Sequence, residues 1–222
     1  MLPVPRGSFL AGLPAAVRSA MLALGTARDY TPGTVLMREG ELSTHTLVLV
    51  KGLVKVTATS HEGHLSLLAI RTAGDLVGEL ASMDNEPRIA TVTAAGAVRA
   101  RVVGQAEFRR YLTDHPDVAL ALGSSVGMKL RWATRRRVDF GAHDVPVRLA
   151  RVLVELVTTY GTGEGDIRIP LSQPELAALV GAAEPTVHRT LAHLRKEDIV
   201  VTGYRRVSVR DRARLEAIAD DG

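Results

Sequence analysis

Along the first hundred residues the apolar positions come in short runs separated by Gly-containing turns. Thr34–Met37, Thr46–Val50, Leu53–Thr59, Leu65–Ile70, Ile89–Ala94 and Arg99–Val103 are rich in Val, Thr and Leu, and Glu39-Gly40, Lys51-Gly52 and Glu62-Gly63 punctuate them. Runs this short, at regular intervals, predict an all-β sandwich or barrel. Short helices are expected to flank it around Pro14–Leu24 and Gln105–Leu112.

Near residue 113 the period changes from strand to helix. Asp114 or His115 is placed to cap, Pro116 suits a first turn, and Ala119, Leu122, Val126, Leu130 and Ala133 follow at spacings of 3, 4, 4 and 3. One apolar seam on a long helix fits a partner helix in a homodimer. It fits packing on the helix's own domain equally well, because fewer than about three heptads do not separate the two. Gly123 and Gly127 stand inside this helix at about 1 kcal/mol each relative to Ala. They imply either close helix–helix approach or a segment that orders further when a ligand binds. Phe140-Gly141-Ala142-His143 reads as a hinge, and Asp144-Val145-Pro146 opens the next helix. The buried stripe of that helix is Val147, Leu149, Ala150, Leu153, Val154, Leu156 and Val157.

The most specific pattern is "LSQPELAALVGAAEPTVHRTLAHLRKEDIV", residues 171–200. Ser172 with Glu175 forms an S-x-x-E capping box, Gly181 ends that helix and Pro185 opens another. Val187, Leu191 and Leu194 share one face of the second helix and must point inward. Glu184, Pro185, His188, Arg189 and Ala192 or His193 then turn outward. Two short helices joined by a Gly-containing turn fit a helix-turn-helix, whose second helix enters the major groove. Arg189 suits a bidentate pair with guanine, His188 a base or a phosphate, and Glu184 a cytosine amine. Val200–Thr202 and Val207–Val209 bracket Gly203-Tyr204-Arg205-Arg206, a hairpin wing with Arg205 and Arg206 near phosphate. The competing reading is an αα-hairpin whose polar side is only solvated.

Composition narrows the class. A chain of 222 residues with 46% hydrophobic content suffices for two modest domains. The start, MLPVPRGSFL, lacks a basic segment followed by an apolar run, and no apolar stretch reaches membrane-spanning length. With no cysteine, disulfide frameworks, thiol-ligated clusters and Cys-based zinc fingers are excluded. A soluble, cytoplasmic protein without membrane contact is expected. The net charge of +4 says little about nucleic acid, since residues 143–222 carry 11 basic and 12 acidic side chains. Lys129, Arg131, Arg135, Arg136 and Arg137 form a run without an intervening acid, which reads first as a solvated face.

The stretch "GDLVGELASMDNEPRIA", residues 74–90, carries Arg88 with no evident structural duty. Gly74, Gly78, Pro87 and Asp84-Asn85-Glu86 are expected to break any regular element there, leaving backbone amides for a ligand. Arg presents a planar fork of donors to phosphate, so an anion is the expected partner. The alternative is a surface ion pair between Glu79 and Arg88.

Taken together, "PGTVLMREGELSTHTLVLVKGLVKV", "GDLVGELASMDNEPRIATV", the long helix and "LSQPELAALVGAAEPTVHRTLAHL" resemble the Crp/Fnr family of bacterial transcription regulators, from about Tyr30 to Leu215. The resemblance implies an α+β architecture. A cyclic-nucleotide-binding-like β-roll, or jelly roll, spans residues 1–113, a long dimerisation helix and hinge 114–142, and a winged helix-turn-helix 143–222. It implies an effector site in which Glu79 holds the ribose 2′-hydroxyl and Arg88 the cyclic phosphate. Gly78 allows close backbone approach, and Leu80 and Ala81 line the loop. Where the family usually places Ser or Thr after the Arg, this chain has Ile89, whose amide alone remains. Of the helix positions that contact the purine, Ala133 and Thr134 here, only Thr134 can hydrogen-bond a base. A recognition helix that commonly begins Ser-Arg-Glu-Thr reads Ala183-Glu184-Pro185-Thr186, so the operator should differ from that of the cyclic-AMP receptor protein.

The expected protein is therefore a homodimeric transcription regulator, not an enzyme. Its expected partners are a palindromic double-stranded operator, RNA polymerase and a small effector such as cAMP or cGMP. A ligand-independent regulator with a repurposed pocket is the alternative. His61 and His64 make a loose metal pair with no third ligand at a sensible spacing, and no nucleophile elbow, P-loop or dinucleotide fingerprint appears. The acidic end Asp220-Asp221-Gly222 is expected to fray.

Overall fold

The computed structural model describes residues 5, 7–59, 62–63, 65–160, 167–169, 171–203 and 206–221. Two compact units divide the chain, Met1–Met128 and Lys129–Gly222.

In the first unit a 3-10 turn, Phe9–Gly12, precedes α1 (Ala15–Ala23) and the strands β1 (Thr26–Tyr30), β2 (Val35–Met37), β3 (Thr46–Lys51), β4 (Leu53–Thr59), β5 (Leu65–Thr72) and β6 (Leu76–Val77). Then come α2 (Glu79–Asp84), β7 (Thr91–Ala94), β8 (Val98–Val103), α3 (Gln105–Asp114) and the start of α4 (Pro116–Ala142). The strands form two antiparallel four-stranded sheets, β1-β8-β3-β6 and β2-β7-β4-β5. Leu47, Leu49, Val54, Val77, Val92 and Ala100 bury into one cluster. Val48 turns the other way, into a second cluster with Phe9, Leu10, Met21, Phe108, Val118 and Leu122. Successive side chains of a strand face opposite sides, so β3 is covered on both. That is why Thr46–Val50 reads as a continuous apolar run instead of an alternating one.

Three elements here depart from expectation. β1 has no apolar pattern, because only Tyr30 of its five residues is buried. It is an edge strand paired with β8 and clipped by Arg99, which donates to both carboxylate oxygens of Asp29 at 2.7 and 2.9 Å. The loop expected to lack regular structure contains β6 and the short helix α2. Left-handed residues bound that helix at both ends, Gly78 at φ 80° and Asn85 at φ 65°. Turn-forming residues there act as helix boundaries.

α4 begins where His115 ends α3; the His115 carbonyl accepts from Val118 and Ala119. Its first turns bury Val118 and Leu122 in the second cluster, with Val126 packed against it. The seam read from spacing therefore splits: Leu122 and Val126 belong to the core of their own unit, while Leu130 is 66% exposed. Phe140 and Gly141, expected in a hinge, are still helical.

The second unit continues with α5 (Val145–Tyr160), β9 (Ile167–Ile169), α6 (Gln173–Val180), α7 (Glu184–Lys196), β10 (Val200–Gly203), β11 (Arg206–Val209) and α8 (Arg212–Asp220). Leu149, Ala150, Leu153, Leu156 and Val157 are buried as the stripe predicts; Val152 joins them, and Val147 and Val154 are only half-buried. The wing is a three-stranded antiparallel sheet, β10-β11-β9, instead of a bare hairpin. Asp220 is the last helical residue, not part of a frayed end. Among the described residues no helix is long and apolar enough to cross a membrane, and no group of three or more His, Asp or Glu side chains can hold a metal ion. His61 and His64 lie outside the described residues.

Candidate functional site

Two sets of residues carry the expected chemistry, one in each unit. In the first, Gly78 turns the chain from β6 into α2 in a left-handed conformation. A Cβ at Gly78 would stand 2.5 Å from Arg88 Nη1 and 2.5 Å from the Met37 methyl, so a side chain there would displace both tips, and the φ of 80° itself favours glycine. Glu79 opens α2 and is 5% exposed; Arg88, 4% exposed, follows the helix in sequence. Neither is a surface residue, which removes the exposed ion-pair reading.

Arg88 has the structural duty that its sequence context hides. Its Nε donates to Ser43 Oγ at 3.1 Å, Nη1 to the Gly78 carbonyl at 2.6 Å and Nη2 to the His45 carbonyl at 2.6 Å. Its backbone joins the same segment: Gly40 N–H donates to the Arg88 carbonyl at 2.8 Å, and Arg88 N–H to the Glu41 carbonyl at 2.9 Å. Burial lowers the Arg88 pKa, with the Glu41 and Glu79 carboxylates pulling the other way. The guanidinium stays charged at neutral pH. Burial and the Arg88 charge also depress His45, opposed by Glu41. Ser43, His45 and Glu41 escaped the sequence reading, because loop residues some 45 positions from Arg88 carry no local signal of that contact.

The far end of α2 is held by α3. Gln105 donates to the Ser82 carbonyl at 3.0 Å and to Asn85 Oδ1 at 2.7 Å, and Arg109 to the Ser82 and Met83 carbonyls at 2.8 Å each. These donors satisfy carbonyls that a helix end leaves unpaired. Ala81 is buried, Leu80 half-buried, and the Ile89 side chain 67% exposed. Thr134 is exposed on the part of α4 that belongs to the second unit.

In the second unit, the Ser172 N–H donates to the Glu175 carboxylate at 2.8 Å, the capping-box geometry expected at the start of α6. Gly181 closes α6 at φ 66°, ψ 48°. Ala183 then precedes α7, on which Val187, Leu191 and Leu194 are no more than 2% exposed. Glu184, Pro185, His188, Arg189 and His193 are exposed, and Thr186 is half-buried. One helix thus presents Glu184, His188, Arg189 and His193 on its outer side and an apolar anchor on the other. Arg195 and Lys196 in its last turn were not singled out in the sequence; Arg195 reaches Thr202 Oγ1 of β10 at 3.3 Å and ties helix to wing. Arg206 is exposed at the start of β11, and Arg205 lies outside the described residues.

A double-sheet β domain with a buried Arg–Glu loop, followed by a winged helix-turn-helix, defines a class of two-unit DNA-binding regulators. Comparison with known proteins agrees. Residues 27–115 match the family described as the cyclic nucleotide-binding domain, and residues 147–218 the Crp-like helix-turn-helix domain. A CRP-like cAMP-activated global transcriptional regulator of Mycobacterium tuberculosis is 30% identical over 190 residues, 84% of this chain and 85% of the relative. Among solved structures, FixK2 from Bradyrhizobium japonicum superimposes with a TM-score of 0.77 at 22% identity, over 88% of this chain and 97% of that one. A CRP/FNR-family regulator from Thermus thermophilus does so at 0.71 and 25%, over 88% and 98%. The chain belongs to the Crp/Fnr family of DNA-binding transcription regulators.

Proposed function

We propose that the protein acts in the cytoplasm as a homodimer whose operator binding is modulated by a small anionic ligand, a cyclic nucleotide, at the Arg88 loop. The observation that carries this reading is a buried cation, Arg88, beside a buried carboxylate, Glu79, within a cyclic-nucleotide-binding domain. Arg88 matches the cyclic phosphate and Glu79 the ribose 2′-hydroxyl. Gly78, Leu80 and Ala81 form the wall, and the Ile89 amide adds a donor. Glu184, Pro185, Thr186, His188 and Arg189 read bases, while Ser172, Arg205 and Arg206 meet phosphates.

The dimer surface is the outer face of α4. Leu120, Met128, Leu130 and Val138 of α4 are 75%, 53%, 66% and 61% exposed. So many large apolar side chains left in water on one helix support a partner helix. Two copies then meet a palindromic operator through half-sites about 34 Å apart or a multiple of that, from which RNA polymerase is recruited or excluded.

A specific observation favours the alternative of a repurposed pocket: three acceptors within the protein already engage the Arg88 guanidinium. One titration separates the readings. Calorimetry with cAMP and with cGMP should give saturable heat in the wild type, abolished in Arg88→Lys and weakened in Glu79→Gln, with each variant's fold verified by circular dichroism. No heat with either nucleotide makes the ligand-independent regulator the working reading.

A further inference from the structure

The last helical turn of α4 meets the turn of the helix-turn-helix within the second unit. A Cβ built on Gly181 would stand 2.6 Å from Phe140 Cε1 and 2.8 Å from Cζ, so the Phe140 ring occupies the space that any other residue at 181 would need. Arg148 of α5 joins the pair. Its Cζ stands 5.5 Å from the Phe140 ring centroid, and its Nη1 donates to the Gly181 carbonyl at 3.3 Å. Beside Phe140, Asp139 is pinned by Arg151 Nη1 at 2.6 Å, and Arg151 Nε donates to the Ala219 carbonyl of α8 at 2.8 Å.

We propose that Phe140 is a positioning residue for the recognition helix α7, acting through Gly181. The ring is 46% exposed, which makes it a poor core filler. Its contact falls on the turn that sets where α7 begins, just before the outward-facing Glu184 and Pro185. Readers of base edges must be held to within about 0.5 Å to keep their discrimination. A half-exposed ring seated on that turn governs the placement of α7 more than it governs stability. Gly181 is constrained twice over, by its left-handed backbone and by the missing Cβ that receives the ring. The two constraints separate experimentally, because Asn tolerates the left-handed conformation and still brings a Cβ.

The test uses the full-length protein and an operator obtained by selection from random duplexes with the wild type. Kd for that operator and for a scrambled duplex, and Tm, are measured for Phe140→Leu, Phe140→Ala, Gly181→Asn and the double variant Phe140→Ala/Gly181→Asn. Phe140→Ala should raise the operator Kd about tenfold, within the usual range of coupled neighbours. Its scrambled-duplex Kd and Tm should stay near the wild type, and Phe140→Leu should fall between. Gly181→Asn should weaken operator binding while the ring is present, and the double variant should bind no worse than the weaker single one, because removing the ring makes room for the new Cβ. If the two substitutions act independently on operator Kd, or if operator and scrambled affinities fall together, Phe140 does not position the reader. Coupling seen in Tm alone would reduce it to ordinary packing and overturn the proposal equally.

Discussion

Arg88 ties three acceptors from two segments to one guanidinium, so removing it should cost structure as well as a ligand. Arg88→Ala strands the Gly78 and His45 carbonyls, and a lost hydrogen bond to a charged group is worth about 1.5–3 kcal/mol. A stability loss of about 2–4 kcal/mol is expected from denaturant melts of this variant; an unchanged midpoint would show that the carbonyls find other donors. The same cluster makes a pH prediction. His45 holds its proton more weakly in the folded chain than in the unfolded one, so the folded state binds fewer protons there. Stability from this group is complete above the unfolded value of about 6.5. It is lost as pH falls below that, and levels off once the depressed folded value is passed. Melting temperatures between about pH 7.5 and 5.5 should drop more steeply in the wild type than in His45→Gln. Parallel slopes would assign the dependence to other groups.

Among the elements, α4 behaves as two half-helices with different duties. Leu122 is 2% exposed in the core cluster, so Leu122→Ala should cost about 2–5 kcal/mol by leaving a cavity. Leu130→Ala should leave the monomer fold within about 0.5 kcal/mol, since its side chain is mostly in water. If α4 is the dimer surface, that variant should nevertheless shift sedimentation toward monomer. The contrast was not legible in spacing, because both residues belong to one sequence seam. α2 and β1 were hidden for related reasons. α2 has six residues between two left-handed ends, and β1 lies at a sheet edge where one side chain is buried. Neither leaves the hydrophobic periodicity that reveals a longer, half-covered element.

At the scale of the whole molecule, α4 runs through the boundary between the two compact units, and Gly123 lies within it. Among the described residues, a Cβ on Gly123 meets nothing within 4 Å beyond its chain neighbours and its own helix backbone, so Ala there is sterically free in one copy and gains about 1 kcal/mol of helix propensity. Should ligand-induced ordering of α4 couple effector to operator, Gly123→Ala/Gly127→Ala will raise DNA affinity without ligand. Close approach of a second copy predicts the opposite, a weaker dimer by sedimentation. Unchanged ligand-free DNA binding would remove the ordering idea.

The linear chain determined what rests on local rules and period. The strand-rich first half, the capped helix pair, the buried Val187, Leu191 and Leu194, and the outward Glu184, His188 and Arg189 all follow from turn chemistry, capping and the helical repeat. Only the tertiary structure decided which apolar residues of α4 face a core and which face water. It alone gave Arg88 its carbonyl partners and seated Phe140 against Gly181. The Arg88–His45 and Phe140–Gly181 contacts join positions some 40 residues apart, where folding brings segments together and no short-range pattern records the meeting.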